Sequence, residues 1–274
     1  MVRYPSFRVP KCLLTIAYDG TRYGGWQRQA NRVAVQEMLE QALRTIFGQR
    51  IVVEGAGRTD AGVHAFGQAA HVDLPRPFPP QQLIMALNGN MPDDIAVRAA
   101  RFVPDSFHAR FHAIGKRYVY RCVTSRLRPA VGRGYYHWVK RTLDTAAMSV
   151  AGQHLVGRHD FAAFATNPGY QRKRGTVRTI QHLHVSRRSW GFDLTVQGNG
   201  FLYNMVRTIA GTLLDVGAGK LPPDGVRDIL LSRDRRRAGA TAPAYGLYLL
   251  RVLYPQNLDG AVPVVEDEDD EDTA

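Results

Sequence analysis

Residues 55–64 read Gly55-Ala56-Gly57-Arg58-Thr59-Asp60-Ala61-Gly62-Val63-His64 and follow the strand-like run Ile51-Val52-Val53. One acid stands among three glycines. Glycine lacks a Cβ and tolerates positive φ, so a loop of this composition turns sharply and admits another molecule's backbone at close range. The pattern predicts a strand over 51–55, a tight loop presenting Asp60, and a second strand over 67–74. Arg58 and His64 give the acid cationic or hydrogen-bonding neighbours that favour the carboxylate. Displayed in this way it is a candidate nucleophile; the plainer reading is a turn aspartate that satisfies local N–H groups. The spacing fits neither G-x-G-x-x-G nor G-x-x-x-x-G-K-[ST], which argues against a nucleotide-phosphate loop.

Outward from this loop, the pattern predicts a strand over 11–18, a glycine-rich aromatic turn over 19–27, and a helix over 33–47. That helix carries Val35, Met38, Leu39, Ala42, Leu43 and Ile46 on one face. A proline-bounded helix over 80–88 and a strand over 95–103 complete the order β-α-β-β-α-β. The order recurs downstream, with strands over 116–124, 176–185, 190–197 and 247–253, helices over 143–155 and 201–216, and a short extra strand over 135–139. Residues 186–189 read as the turn between the middle strands. The expected architecture is α+β: two split units, each a sheet with helices on one face, merged side by side around a basic cleft. The expected boundaries are an extension over 1–10, halves over 11–107 and 108–256, and an acidic, disordered tail over 257–274.

The 274-residue chain holds 36 Lys and Arg against 24 Asp and Glu, a net charge of +12. Eight of those acids fall in the last sixteen residues, which contain no Lys or Arg, so the body of the chain is more basic than the total. Arginine dominates the cations, and its planar fork suits phosphate oxygens. A polyanionic partner is expected. The only cysteines, Cys12 and Cys122, lie in apolar runs without C-x-x-C or His-rich spacing, so a reducing, cytoplasmic setting without metal is expected. No secretory pattern opens the chain and no apolar run reaches 18 residues, which speaks against membrane insertion.

Basic and aromatic residues interleave in Gly115-Lys116-Arg117-Tyr118-Val119-Tyr120-Arg121. On a strand, Lys116, Tyr118 and Tyr120 share one face. A tyrosine beside cations can stack on a nucleic-acid base, an interaction worth about 1 to 3 kcal/mol, comparable to the cost of extruding a nucleotide. The alternative is a core tyrosine with a satisfied hydroxyl. On the helix predicted over 201–216, Arg207 lies at the edge of the apolar stripe, and Asp60 is a candidate counter-anion. Leu247 opens what composition alone makes a buried strand.

Together YDGTRYGGWQRQ (18–29), VQEMLEQAL (35–43), GAGRTDAGVHA (55–65), DSFHARF (105–111), GKRYVYR (115–121), GRHDF (157–161), FLYNMVRTIAG (201–211) and APAYGLYL (242–249) resemble the TruA family of tRNA pseudouridine synthases. The resemblance runs from about Lys11 to Tyr254. It implies the pseudouridine synthase fold, a homodimer, and isomerisation of uridine to pseudouridine at positions 38, 39 and 40 of the tRNA anticodon stem-loop, without metal or organic cofactor. Asp60 matches the family's catalytic aspartate and Arg207 its ion-pair partner. Tyr118 matches the tyrosine that stacks on the target base, Arg58 the residue that enters the space the base vacates, and Leu247 an apolar contact to uracil. Lys116 and His64 are further candidates for substrate binding. The rival readings are a non-catalytic tRNA-binding or folding module, which needs the basic cleft but not Asp60, and a nucleotide-hydrolysing enzyme, whose magnesium-ligand and phosphate-loop spacing is missing.

Overall fold

A largely apolar run folds Lys11–Tyr18 into strand β1, which runs through the first of two compact units, built from residues 10–114 and 251–255. The computed structural model describes residues 10–167 and 175–255; the expected acidic tail and nearly all of the expected extension lie outside them. After β1 come helix α1 (Val35–Phe47), strand β2 (Glu54–Gly55), strand β3 (His64–Asp73), helix α2 (Pro80–Asn88) and strand β4 (Ile95–Val103). The expected β-α-β-β-α-β order is present. β1 pairs antiparallel with both β3 and β4, and β2 pairs with β3.

Helix α1 buries Val35, Leu39, Ala42 and Leu43, and its carboxyl end closes on Gly48, whose N–H donates to the Arg44 carbonyl at 2.9 Å. Pro80 occupies the first turn of α2, where a missing N–H costs nothing. The strand expected over 51–55 is shorter than its composition suggests. Helix side chains capture the backbone of Val53 instead of a neighbouring strand: Gln36 Nε2 donates to its carbonyl at 2.9 Å, and its N–H points to Glu40 Oε1 at 3.4 Å. Only Glu54–Gly55 joins the ladder. Leu13, Ala56, Ala69, Val103, Phe107 and Ala109 form a core cluster against which Val252 and Tyr254 pack. The Tyr254 hydroxyl donates to the Ala109 carbonyl at 2.7 Å and fixes the end of the described chain to the 104–114 turn.

The second unit spans residues 115–250. It contains strands β5 (Gly115–Thr124) and β6 (His137–Val139), helix α3 (Thr145–Gln153), strands β7 (Gly157–Asp160), β8 (Val177–Arg188) and β9 (Gly191–Gly198), and helices α4 (Met205–Gly217) and α5 (Gly225–Ser232). Strand β10 (Leu247–Leu253) then carries the chain back into the first unit. The order β5-β9-β8-β7 is antiparallel throughout, while β6 runs parallel to β5. The α+β expectation holds.

Two further local expectations are corrected. Residues 186–188 are strand rather than turn, because β8 pairs with β9 out to Arg188 opposite Gly191, leaving Ser189 and Trp190 as the connection. Helix α4 starts at Met205 rather than 201, since Asn204 adopts a left-handed conformation (φ 61°) that no helix continues through. β7 and α5 were not expected. Among the described residues, no helix is long and apolar enough to cross a membrane.

Candidate active site

The Asp60 loop is held from three sides within the first unit. The Tyr18 hydroxyl and Thr59 Oγ1 lie 2.7 Å apart, both buried, and the Trp26 N–H donates to the Thr59 carbonyl at 3.1 Å. On the other side, Gln68 Nε2 donates to the Gly57 carbonyl at 2.9 Å, and the Ala56 N–H donates to Ala69 at 2.8 Å. The residue before Asp60 therefore has its side chain and its carbonyl both spoken for.

Asp60 itself opens a reverse turn. The Val63 N–H donates to the Asp60 carbonyl at 3.1 Å, and Gly62, third in the turn, has φ 77°. Positive φ at that position alone is the mark of a type II turn and requires glycine. Asp60 is half-buried and Arg58 exposed. The pairing of β1 with β3 is irregular between Ile16 and Tyr18, a bulge where the strand approaches this loop.

The glycines around the loop serve the chain's own packing. A Cβ on Gly55 would run into the Trp26 indole, and one on Gly25 would strike the Thr59 carbonyl oxygen and approach the backbone of Asp60 and Ala61 at 3.1 and 3.2 Å. The reading of this composition as room for another molecule's backbone is corrected at Gly55 and Gly62, where Trp26 and the turn require the glycine. His64 is buried, with Nδ1 3.1 Å from both the Gly20 N–H and Asp19 Oδ1, so that nitrogen serves the 19–20 turn at the end of β1.

In the second unit, Tyr118 is buried on β5 opposite Val196 of β9, its ring edge-on to Phe201 at 5.2 Å. Lys116 is two residues earlier on the same strand, half-buried, opposite Gly198. Tyr120, on the same face, is a core residue: it is fully buried, burial pushes its phenol well above the ordinary range, and its hydroxyl donates to the Pro243 carbonyl at 3.1 Å.

Arg207 is oriented from two directions. Its Nε donates to the Ala242 carbonyl at 2.7 Å, and its Nη1 donates to Asn204 Oδ1 at 2.8 Å. In return the Ala242 N–H donates to the Arg207 carbonyl at 3.1 Å. The segment 239–242 thus lies along α4, and it leads through a short 3-10 turn at Ala244–Gly246 to Leu247, buried at the start of β10.

Sequence reasoning passed over Asn204. Besides accepting from Arg207, it donates through Nδ2 to Thr166 Oγ1 at 3.0 Å, so it links the arginine to the 165–167 segment. The available signal was its residue type: asparagine tolerates left-handed backbone and is favoured ahead of a helix. Tyr18, Trp26 and Gln68 were also missed as supports, because their partners lie far away in sequence.

Neither cysteine offers a nucleophile. Burial raises Cys12 to about 11 and Cys122 to about 12, so both stay protonated at neutral pH. Among the described residues, no group of three His, Cys, Asp or Glu side chains could hold a metal ion. What the two units provide is an aspartate on an anchored loop in the first, and a guanidinium oriented by Ala242 and Asn204, together with a buried tyrosine on β5, in the second.

The family model described as tRNA pseudouridine synthase matches residues 14–112 and 151–255. A tRNA pseudouridine synthase A of Bacillus velezensis is 46% identical over 247 residues, covering 89% of this chain and 98% of that protein. One from Thermoanaerobacter sp. is 43% identical over 242 residues, covering 88% and 98%. One from Allorhizobium ampelinum is 44% identical over 250 residues, covering 90% and 96%.

Proposed function

The chain belongs to the tRNA pseudouridine synthase family, and on that premise we propose that it isomerises uridine to pseudouridine at positions 38, 39 and 40 of the tRNA anticodon stem-loop, with Asp60 as nucleophile. The carboxylate bonds to a uridine flipped out of its stack, the N1–C1′ bond breaks, and the base turns to rejoin C1′ through C5 as the bond to Asp60 breaks and the carboxylate is freed. The proton lost from C5 is balanced by one gained at N1. The composition of the RNA is unchanged, since the hydrogen from C5 passes to solvent and another proton takes its place at N1. Extrusion suits a single-stranded loop, where bases can be splayed out and stacked on aromatic side chains.

Arg207 pairs with the Asp60 carboxylate and keeps it anionic and aligned. Two of its donors are committed to Ala242 and Asn204, which fixes the plane of the fork. Tyr118 stacks on the target base and assists removal of the C5 proton, Leu247 contacts the uracil face, and Arg58 fills the gap left by the extruded base. Lys116 and His64 complete the binding set; for His64 the contacts to Gly20 and Asp19 favour a part in shaping the loop. The resemblance also carries a cytoplasmic homodimer that needs no metal or organic cofactor.

The observation that carries this reading is the anchoring of Thr59 through side chain and carbonyl, which presents the next residue, Asp60, on a turn with little freedom to move. Preorganisation of this kind is what a nucleophile needs. Release of tritium from a 5-tritiated uridine tRNA transcript tests it. Asp60→Asn should release none while still binding tRNA; wild-type release from that variant would remove Asp60 from the mechanism and favour a non-catalytic tRNA-binding role for this acid's loop.

A further inference from the structure

Residues 124–143 contain Arg126, Arg128, Arg133, Lys140 and Arg141 and not one acid. All five cations are exposed, and none forms an ion pair with a carboxylate among the described residues. Leu127 and Val131, 81% and 86% exposed, stand between the arginines.

The loop is built rather than loose. Trp138 Nε1 donates to the Ser125 carbonyl at 3.1 Å, the Ser125 N–H donates to Val139 at 3.3 Å, and the Tyr248 hydroxyl donates to Tyr135 at 2.5 Å. The Tyr136 hydroxyl donates to the Val131 carbonyl. Because β6 runs parallel to β5, with Thr124 opposite Val139, Arg126 and Arg128 leave the sheet beside Lys140 and Arg141. Two short cationic segments from different parts of the chain are thereby gathered at one end of β5.

We propose that this loop is a second RNA-binding surface, seating backbone phosphates of the substrate tRNA outside the target stem-loop. The inference rests on the reading that the substrate is tRNA with its target base at Tyr118. Six residues separate Tyr118 from Thr124, roughly 20 Å along the strand, which sets Arg126 and Arg128, beyond Thr124, apart from Tyr118. A second copy of this chain is a poorer occupant. In an isologous contact with this loop on the two-fold axis, five cations would face the same five, and like charges so juxtaposed are repelled. Phosphates supply the missing negative charge, and arginine can hold them in bidentate fashion.

The triple variant Arg126→Ala/Arg128→Ala/Arg133→Ala tests this in the full chain, with a full-length tRNA transcript and a hairpin restricted to the target stem-loop as probes. Binding of full-length tRNA should weaken about tenfold or more, and the slope of log affinity against log salt should fall by about 2 to 3, as three phosphate contacts are lost. Hairpin affinity, and turnover at saturating tRNA, should not change. The corresponding triple lysine variant should keep the salt slope, which separates charge from folding.

An unchanged slope with full-length tRNA overturns the proposal, as does equal weakening of both probes or a lysine variant as weak as the alanine one. A shift in sedimentation with unaltered RNA affinity also overturns it, in favour of a subunit contact. Tritium release by the unmodified chain is measured in the same preparation. If the wild-type chain converts no uridine yet binds tRNA through this loop, the catalytic reading falls and this one stands.

Discussion

The Tyr18 hydroxyl lies 2.7 Å from Thr59 Oγ1, both residues buried and 41 positions apart, so the end of β1 is bonded directly to the residue before Asp60. Burial also pushes the Tyr18 phenol well above its ordinary range, keeping the hydroxyl protonated. Tyr18→Phe removes this bond and leaves Thr59 Oγ1 short of a partner, at a cost of about 1 to 3 kcal/mol. Urea unfolding should show that loss, and turnover should fall several-fold because the loop is less well held. In a double-mutant cycle with Thr59→Val the two effects should be less than additive; full additivity would mean that the pair does not act as a unit.

The fold was most legible where apolar periodicity is local. β4 and α2 have the expected bounds, because Ile95–Val103 is an apolar run interrupted only by Arg98 and Arg101, and Pro80 marks a helix start. β7 and α5 went unseen for want of such a signal: Gly157–Asp160 is a polar tetrapeptide held by its pairing with β8, and Gly225–Ser232 is only eight residues long. In the candidate site the loop and its acid were legible from composition, whereas its supports were not. Nothing local links Tyr18 to Thr59, or Gln68 to Gly57, since those contacts exist only after β1 and β3 have paired.

Gly25 is a position where a single methyl group should disturb the loop next to Asp60. It has φ 108°, and a Cβ there meets the backbone of Thr59, Asp60 and Ala61 rather than a flexible side chain. Gly25→Ala should nearly abolish turnover. Gly48→Ala is the control: its φ is 72°, but a Cβ there meets nothing within 4 Å, so only the left-handed strain of about 1 to 2 kcal/mol applies. Equal loss of turnover in both variants would mean that stability alone, not the contact with the loop, sets activity.

Asn204 should act on the reaction through Arg207. Asn204→Gly keeps the left-handed backbone unstrained but removes the acceptor for Nη1 and the link to Thr166, so kcat should fall by about tenfold with KM for tRNA little changed. Asn204→Asp retains the acceptor and should recover most of kcat. A rise in KM with kcat intact would assign Asn204 to RNA binding instead.

Acid should weaken the first unit before its carboxylates are titrated. His71 is lowered to about 3, chiefly by burial and then by the charges of His108 and Lys11; His108 is lowered to about 4 by burial, then by Lys11, His112 and Arg110. Each ring accepts a backbone N–H on Nδ1, His71 from Ala109 and His108 from Arg110, which favours the neutral Nε2–H form. In the unfolded chain both take up a proton near 6.5, so between that pH and about 3 the unfolded state binds more protons and stability declines as pH falls. The contribution is fully present above about 6.5 and on the order of a few kcal/mol for the pair. Asparagine offers Oδ1 near the position of Nδ1, so His71→Asn/His108→Asn keeps acceptors for both amides. Urea midpoints should fall more steeply from pH 7 to pH 4.5 for the wild type than for this variant, and parallel curves would show that these histidines are not the groups that titrate.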